Sequence, residues 1–186
     1  MDHNLQNWLK LYEELKPHAL CIDIEVTHYN GPISVLGTYE PKDGEIHYNS
    51  FIKGHNLTKE NLMNIFSKCK LLIVYNGLRF DIPKINEEFL GVIPKEMQIL
   101  DIFCLARKIG LGTNLKILEN TLGIERMTGD HKGKAIRLWQ QYSRYQDKKA
   151  LQMLLEYNKQ DVINLYPIIE AIKKKTLTQS SIEVIA

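Results

Sequence analysis

Residues 19–26 of the chain read Ala-Leu-Cys-Ile-Asp-Ile-Glu-Val, an apolar run that contains two acids. Its β-branched and apolar residues predict a β-strand. Because side chains alternate across a strand, Asp23 and Glu25 share one face, and Ile22 and Ile24 share the other. Carboxylates at positions i and i+2 lie roughly 7 Å apart and repel each other by about 2 kcal/mol at an effective dielectric constant of about 20. The pattern predicts either a divalent cation between the acids or an edge strand with a solvated acidic face.

The segments that follow predict a mixed α/β domain. After a break at Gly31-Pro32, residues 33–39 and 46–52 have the composition of two strands, which with the first strand form an antiparallel meander. Helices and strands then alternate, with helices at about 58–68, 83–90, 102–109 and 115–122 and strands at about 71–75 and 98–100. Two C-terminal helices follow, the second after Asp147, and Pro167 is expected to kink or end it.

This order of elements is that of the ribonuclease-H-like fold. We expect a mixed five-stranded central sheet, with three antiparallel strands and then parallel strands, and helices on both faces. The whole chain, 1–186, is expected to be a single domain. Its parts are an N-terminal helix in 1–17, the core in 19–172 and a C-terminal tail in 176–186.

The composition excludes several classes of protein. A hydrophobic fraction of 44% and a charged fraction of 25% are ordinary for a soluble domain. No apolar run approaches the ~20 residues of a membrane helix, and no secretory signal is present, so we expect a cytoplasmic protein without a membrane partner. Cys21, Cys69 and Cys104 lack zinc-binding spacing and are expected to be reduced, buried thiols. The net charge of +2 neither requires nor excludes a polyanionic partner.

A further acid, Asp81, follows the predicted strand 71–75 in the segment Asn-Gly-Leu-Arg-Phe-Asp, residues 76–81. An Asp that precedes a Pro-led helix is typical of a helix N-cap, and this explanation suffices for the residue on its own. The end of a strand in an open α/β sheet is also where ligands bind. The sequence leaves both interpretations open.

The last predicted helix carries Tyr157 and Asp161, which are four residues apart and therefore lie on one face. Leu154 and Leu165 continue the same apolar stripe. An Asp on such a stripe is rarely buried without a partner, so it is either a hydrogen-bonded core residue or a metal ligand. With the acids of the first strand counted, we favour the metal ligand, because two-metal phosphoryl chemistry needs a set of this kind.

The motifs Asp-Ile-Glu, Asn-Gly-Leu-Arg-Phe-Asp and Tyr-x-x-x-Asp, in this order, resemble those of the DEDD 3′→5′ exonucleases in their tyrosine variant. The histidine variant carries His five residues before the last Asp, where this chain has Glu156. Residues 101–108 and 115–124 are similar to those of the exonuclease group called YprB-like. The resemblance covers roughly residues 19–172.

This resemblance implies a role for each matching residue. Asp23, Glu25 and Asp161 would bind a first divalent ion, Mg²⁺ or Mn²⁺, and Asp23 would also reach a second ion. Asp81 would hold the second ion directly or through water, and Tyr157 would orient the attacking water. The implied activity is two-metal hydrolysis of phosphodiester bonds at the 3′ end of a single-stranded or otherwise 3′-ended nucleic acid.

Three residues are candidates for substrate contacts: Thr27, Asn76 and Lys132. After Asp-x-Glu the family pattern continues Thr-Thr-Gly or similar, whereas this chain keeps Thr27 and continues His-Tyr-Asn-Gly-Pro. Lys132 belongs to a basic cluster that includes Arg126 and fits either phosphate binding or a solvated surface. The aromatic residues that could stack on bases, if they are not core residues, are Tyr29, Tyr142 and Tyr145.

Two other functions fit parts of the pattern. Endonucleases of the same fold use similar sets of acids, and the Tyr-x-x-x-Asp helix favours an exonuclease over them. A non-catalytic nucleic-acid-binding module could keep the fold, but it would have no physical reason to keep four clustered acids and the tyrosine.

Overall fold

The strand that carries the two acids lies at the centre of a sheet. The computed structural model describes residues 5–42, 45–112, 114–126 and 134–183. Its strands are β1 (Ala19–Val26), β2 (Ile33–Lys42), β3 (Glu45–Ile52), β4 (Leu71–Val74) and β5 (Gln98–Asp101). They form a five-stranded sheet in the order β3-β2-β1-β4-β5. The β1, β2 and β3 strands are antiparallel, and β4 and β5 continue parallel to β1, so the predicted mixed sheet is observed and β1 is not an edge strand.

Helices pack on both faces of this sheet. They are α1 (Leu5–Leu15), α2 (Lys59–Phe66), α3 (Asp81–Glu88), α4 (Ile102–Lys108), α5 (Leu115–Leu122), α6 (Ala135–Tyr145) and α7 (Lys148–Glu183). Ile22 and Ile24 of β1 belong to the core shared with α2 and α3. Cys21 belongs to the opposite core, shared with α1, α4, α5 and α7. Alternation along β1 therefore directs Asp23 and Glu25 towards the layer that contains α7.

The last helix is longer than the sequence predicts. It runs over Lys148–Glu183 and continues through Pro167, so the expected tail from 176 is helical as far as Glu183. An interior proline costs a helix about 3 kcal/mol. Ile168 and Ile169, which follow it, are wholly buried, and burial of each such side chain contributes about 1.5–3 kcal/mol. Tertiary packing offsets the local preference to end the helix.

The three cysteines differ in their exposure. Cys21 is buried, Cys69 is half-buried and Cys104, on α4, is exposed. All three are free thiols. The expectation of buried thiols is therefore correct for Cys21 and wrong for Cys104, because Leu105 and Ala106 supply the buried face of that short helix.

A glycine in β2 allows α7 to approach the sheet closely. Gly37 pairs with Asp23 in the antiparallel ladder. A Cβ atom at this position would lie 1.9 Å from Oδ1 of Asn158 and 3.0 Å from Cγ2 of Val162. Both of these α7 residues are wholly buried. A side chain at position 37 would therefore push α7 away from β1.

We expect Gly37→Ala to destabilise the fold by about 1–3 kcal/mol, the usual cost of overpacking a core. Removal of Oδ1 of Asn158, the atom that the new methyl group would strike, should recover part of this loss. The double variant Gly37→Ala/Asn158→Ala should therefore be less destabilised than the sum of its single variants. Denaturant unfolding of the four proteins measures this coupling, and strictly additive losses would contradict the steric explanation.

Candidate metal centre

Three of the predicted acids meet at the carboxyl end of β1. One carboxylate oxygen from each of Asp23, Glu25 and Asp161 lies within 4.8 Å of the other two. Asp161 is buried, and the other two residues are half-buried. Divalent Mg²⁺ and Ca²⁺ take oxygen ligands at about 2.0–2.6 Å, so oxygens on one ion are separated by up to roughly 4–5 Å. The all-carboxylate donor set and its spacing therefore fit a hard divalent cation.

The fourth acid, Asp81, lies beside this group. Its Oδ1 accepts a hydrogen bond of 3.1 Å from the backbone N–H of Ile24. A backbone nitrogen lies about 2.5 Å from the preceding Cα, so this oxygen lies within about 6 Å of the Asp23 Cα. The β1–β4 pairing extends only over Ala19 to Cys21, and the Ile24 N–H needs an acceptor outside that ladder.

The N-cap interpretation of Asp81 does not match the structure. Asp81 is the first residue of α3, and the N-cap position belongs to Phe80, whose side chain makes no capping hydrogen bond. Asp81 is buried and is directed to the backbone of β1. Its carboxylate thus links α3 to the strand that carries Asp23 and Glu25.

Asp101, a buried acid with no role predicted from the sequence, holds the turn that leads to Asp81. It lies at the end of β5, and its carboxylate accepts backbone hydrogen bonds from Asn76 at 2.8 Å, Leu78 at 3.1 Å and Phe103 at 3.0 Å. Asn76 has a left-handed backbone with φ of 56°, which Asn adopts more readily than most residues. The position of Asp101 at the carboxyl end of a strand is the sequence signal that could have identified it.

Asn158 fixes the carboxylate of Asp23. Its Nδ2 donates to Oδ2 of Asp23 at 2.9 Å and to the backbone oxygen of the same residue at 3.2 Å. Its own Oδ1 accepts a bond of 3.1 Å from the hydroxyl of Tyr48 on β3. Asn158 is wholly buried, so its amide depends on these partners. It lies three residues before Asp161, on the same helix face, which is the signal that sequence reasoning did not use.

Asp161 has a cationic partner in Arg126. Nη2 of Arg126 contacts Oδ1 of Asp161, and Nη1 bonds the two carboxylate oxygens of Glu119 at 3.3 and 2.9 Å. The interpretation of Arg126 as part of a solvated surface is therefore wrong, because only 13% of its side chain is exposed. Glu119 lies on the apolar stripe of α5 beside the buried Leu118. An acid on such a stripe is the same signal that identified Asp161.

The pKa values of the clustered acids lie above their ordinary values. Burial is the largest cause, and neighbouring carboxylates add to it. The pKa of Glu25 is raised to about 8 and that of Asp81 to about 7, and the pKa of Asp23 lies well above its ordinary value. Burial also raises the pKa of Asp161, against the opposing effects of Arg126 and Tyr157. Bound protons or a bound cation would relieve this repulsion.

Tyr157 lies on α7 next to these acids and is half-buried. Burial, followed by the charges of Asp161 and Glu25, raises the pKa of its hydroxyl, which also hydrogen-bonds to Asp161. The hydroxyl is therefore protonated at neutral pH and acts as a hydrogen-bond donor. Leu154 and Leu165, which continue its stripe, are buried as the helical spacing predicts.

Two of the predicted substrate-contacting residues lie near the acids along the chain. Thr27 follows β1, is buried, and its hydroxyl is 2.9 Å from Nδ1 of His28. Asn76 is half-buried in the turn that Asp101 holds. Lys132 lies outside the described residues. Contact of these three side chains with nucleic acid stays a prediction.

The aromatic candidates for base stacking divide into two groups. Tyr142 is buried against Trp139, with ring centroids 5.6 Å apart, so it is a core residue. Tyr29 and Tyr145 are 85% and 76% exposed. Stacking on bases therefore stays a prediction for these two.

The comparisons with known proteins agree with the fold. A family model described as RNase_H superfamily matches residues 20–173. The chain belongs to the RNase H superfamily. The matched range includes Asp23, Glu25, Asp81, Tyr157 and Asp161. Nucleases of this superfamily typically use divalent metals, which agrees with the carboxylate donor set of Asp23, Glu25 and Asp161.

A solved structure shows the same fold. It is a family B DNA polymerase from the hyperthermophilic archaeon Pyrobaculum calidifontis, with a TM-score of 0.57 and 15% sequence identity. The alignment covers 86% of this chain and 24% of the polymerase, so the chain spans a minor part of that protein's length. A search of curated protein sequences finds no match. Among the helices described, none has an apolar stretch long enough to cross a bilayer.

The raised pKa values predict a link between pH, metal and stability. The folded acids retain protons that the unfolded chain releases from about pH 4 upwards. Without metal, the free energy of unfolding should therefore fall as the pH rises. The decline should continue up to about pH 8, the pKa of Glu25. Millimolar Mg²⁺ should flatten this decline, because the ion replaces the protons. Thermal melts over this pH range with Mg²⁺ or with chelator measure both effects.

Two variants make this test specific. Glu25→Gln should weaken the decline with pH in chelator, whereas Glu14→Gln, on the exposed side of α1, should leave it unchanged. A melting midpoint that is insensitive to Mg²⁺ throughout would count against a formed cation site.

Proposed function

We propose that this protein is a metal-dependent 3′→5′ exonuclease that hydrolyses phosphodiester bonds. The observation that carries the proposal is the convergence of Asp23, Glu25 and Asp161 within 4.8 Å. Asp81 lies beside them through its bond to the Ile24 N–H. Three carboxylates this close together, with a fourth acid beside them, are costly to stability, and bound divalent ions would remove that cost.

Each residue has a task in this proposal. Asp23, Glu25 and Asp161 would hold one divalent ion, and Asp23 together with Asp81, directly or through water, would hold a second, with Mg²⁺ or Mn²⁺ as the candidates. Bound ions of this kind activate water and stabilise the leaving oxygen. The protein's own contribution is to fix the ligands: Asn158 orients Asp23, and the Ile24 N–H orients Asp81.

The proposed direction of cleavage rests on the resemblance of the Tyr-x-x-x-Asp motif to that of the tyrosine-variant exonucleases. Tyr157 is protonated, lies on the same helix face as Asp161 and is hydrogen-bonded to it. A hydroxyl at this position can hold the attacking water beside the acids, which is the role that the tyrosine-variant exonucleases assign to it. By the same resemblance, the proposed substrate is a single-stranded or otherwise accessible 3′ end. Thr27 and Asn76 are the proposed contacts to the terminal nucleotide, together with Lys132.

An endonuclease is the second candidate, because the superfamily assignment alone is compatible with it. Digestion of linear and circular single strands separates the two. With Mg²⁺ or Mn²⁺, a 5′-labelled linear strand should shorten one nucleotide at a time, while a circle and a strand with a blocked 3′ end should persist. Cleavage of the circle would indicate an endonuclease, and binding without cleavage would indicate a non-catalytic module. DNA and RNA strands tested in parallel establish which of the two is degraded.

Asp23→Asn should abolish cleavage. It removes a ligand that both ions share and one of the charges that hold them. Calorimetry should show a loss of metal affinity beside the loss of single-turnover cleavage. Glu156→Gln is the control, because it removes one acidic charge from an exposed position of α7, the helix that carries Asp161. Cleavage by Asp23→Asn would place the active site elsewhere.

Tyr157→Phe should slow cleavage by about 10²–10³-fold, the typical cost of losing one positioning group. Metal affinity should stay near that of the wild type, because the substitution keeps the aromatic ring and its packing. Tyr145→Phe, at a position 76% exposed, is the control. A wild-type rate in Tyr157→Phe would make Tyr157 a packing residue only.

A further inference from the structure

The guanidinium of Arg126 contacts two acids, the buried Glu119 and the proposed metal ligand Asp161. Nη1 binds both oxygens of Glu119, at 3.3 and 2.9 Å, and Nη2 contacts Oδ1 of Asp161. The guanidinium thus reaches the cluster formed by Asp23, Glu25 and Asp161. Any group bound to the same carboxylate of Asp161 would lie next to Arg126.

The contact with Glu119 is independent of the metal-site acids. Glu119 is wholly buried, and Nδ2 of Asn164 donates to its Oε1 at 2.8 Å. A buried carboxylate is tolerated only when it is paired and hydrogen-bonded. Glu119 therefore holds Arg126 in place whether or not Arg126 contacts Asp161.

The contact with Asp161 leaves part of the guanidinium unused. An arginine offers five N–H groups, which bind carboxylates or phosphates best in pairs. Within the described part of the chain, Nε of Arg126 is buried and has no acceptor. Only Nη2 is directed to Asp161, through a single oxygen. The pairing with Asp161 is thus less complete than the one with Glu119.

We propose that Arg126 is a phosphate-binding residue of the active site that competes with the divalent ion for Asp161. This inference rests on the proposed function. When Asp161 serves as a metal ligand, Arg126 releases Oδ1 of Asp161 and remains fixed on Glu119. The freed N–H group then donates to a non-bridging oxygen of the scissile phosphate. Arginine suits this task because its planar donors match phosphate geometry and its charge is permanent.

The proposal predicts two effects of opposite sign. Loss of the guanidinium should tighten metal binding, because a competing cation is removed from Asp161. The same change should weaken binding of nucleic acid and slow cleavage, because a phosphate contact is lost. A salt bridge with a purely structural role would not produce this combination, since a disturbed site loses affinity for both metal and nucleic acid.

The test compares Arg126→Gln with Arg144→Gln, an equal loss of charge at an exposed position of α6. Because Arg126→Gln leaves Glu119 buried without its cation, Glu119→Gln/Arg126→Gln serves as a second variant that keeps the core neutral. Thermal melts first establish which variants are folded. Calorimetry then measures Mg²⁺ affinity without nucleic acid, and fluorescence anisotropy measures oligonucleotide binding in Ca²⁺ over a range of salt concentrations.

The expected result is Mg²⁺ binding about three- to tenfold tighter in the folded Arg126 variants, from the removal of an adjacent charge. Oligonucleotide binding should be about tenfold weaker, and its salt slope should fall by about one. Unchanged or weaker Mg²⁺ affinity would overturn the competition, and unchanged oligonucleotide binding would overturn the phosphate contact. A wild-type protein that fails to cleave would refute the proposed function while both binding measurements still decide the role of Arg126.

Discussion

Repulsion among the carboxylates at the carboxyl end of β1 is the constraint on which the rest of the site depends. Asp23, Glu25 and Asp161 approach within 4.8 Å, a spacing that costs free energy unless donors or cations compensate. The fold supplies an amide to Asp23, a backbone N–H to Asp81 and a guanidinium to Asp161. Burial, followed by the charges of Asp161 and Asp81, raises the pKa of Glu25 to about 8, so a bound proton is still favoured there. The proposed ions would take the place of that proton.

The sheet creates the opening in which the acids meet. The parallel pairing of β1 and β4 covers three residue pairs, from Ala19 to Cys21 on β1, and then ends. β1 continues beyond it to Val26, paired only with β2 over that length in the described sheet. Asp81 accepts a hydrogen bond from the Ile24 N–H of β1, beyond the end of the β4 pairing. Asp101 accepts one from the Asn76 N–H in the turn between β4 and α3. Carboxyl ends of neighbouring parallel strands share one edge, so residues far apart in sequence converge there.

α7 completes the site because burial of its apolar residues positions its polar residues beside β1. Val162, Ile168 and Ile169 are wholly buried against the sheet and its helices. Gly37 removes the side chain that would otherwise strike Asn158. Burial of apolar side chains along the helix stabilises the fold. This stabilisation offsets the cost of burying Asn158 and Asp161, which are unfavourable in the interior unless their hydrogen bonds are made.

The sequence by itself determined the features that depend on short-range periodicity. Alternation in residues 19–26 placed Asp23 and Glu25 on one face, and four-residue spacing placed Tyr157 with Asp161. The tertiary structure alone decided how Asp81 is used, since an N-cap and a bond to a distant strand have the same local sequence. It also decided that Pro167 does not end α7 and that Arg126 pairs with Asp161 rather than with solvent. These outcomes depend on free energies of packing between segments far apart in the chain, which local propensities do not contain.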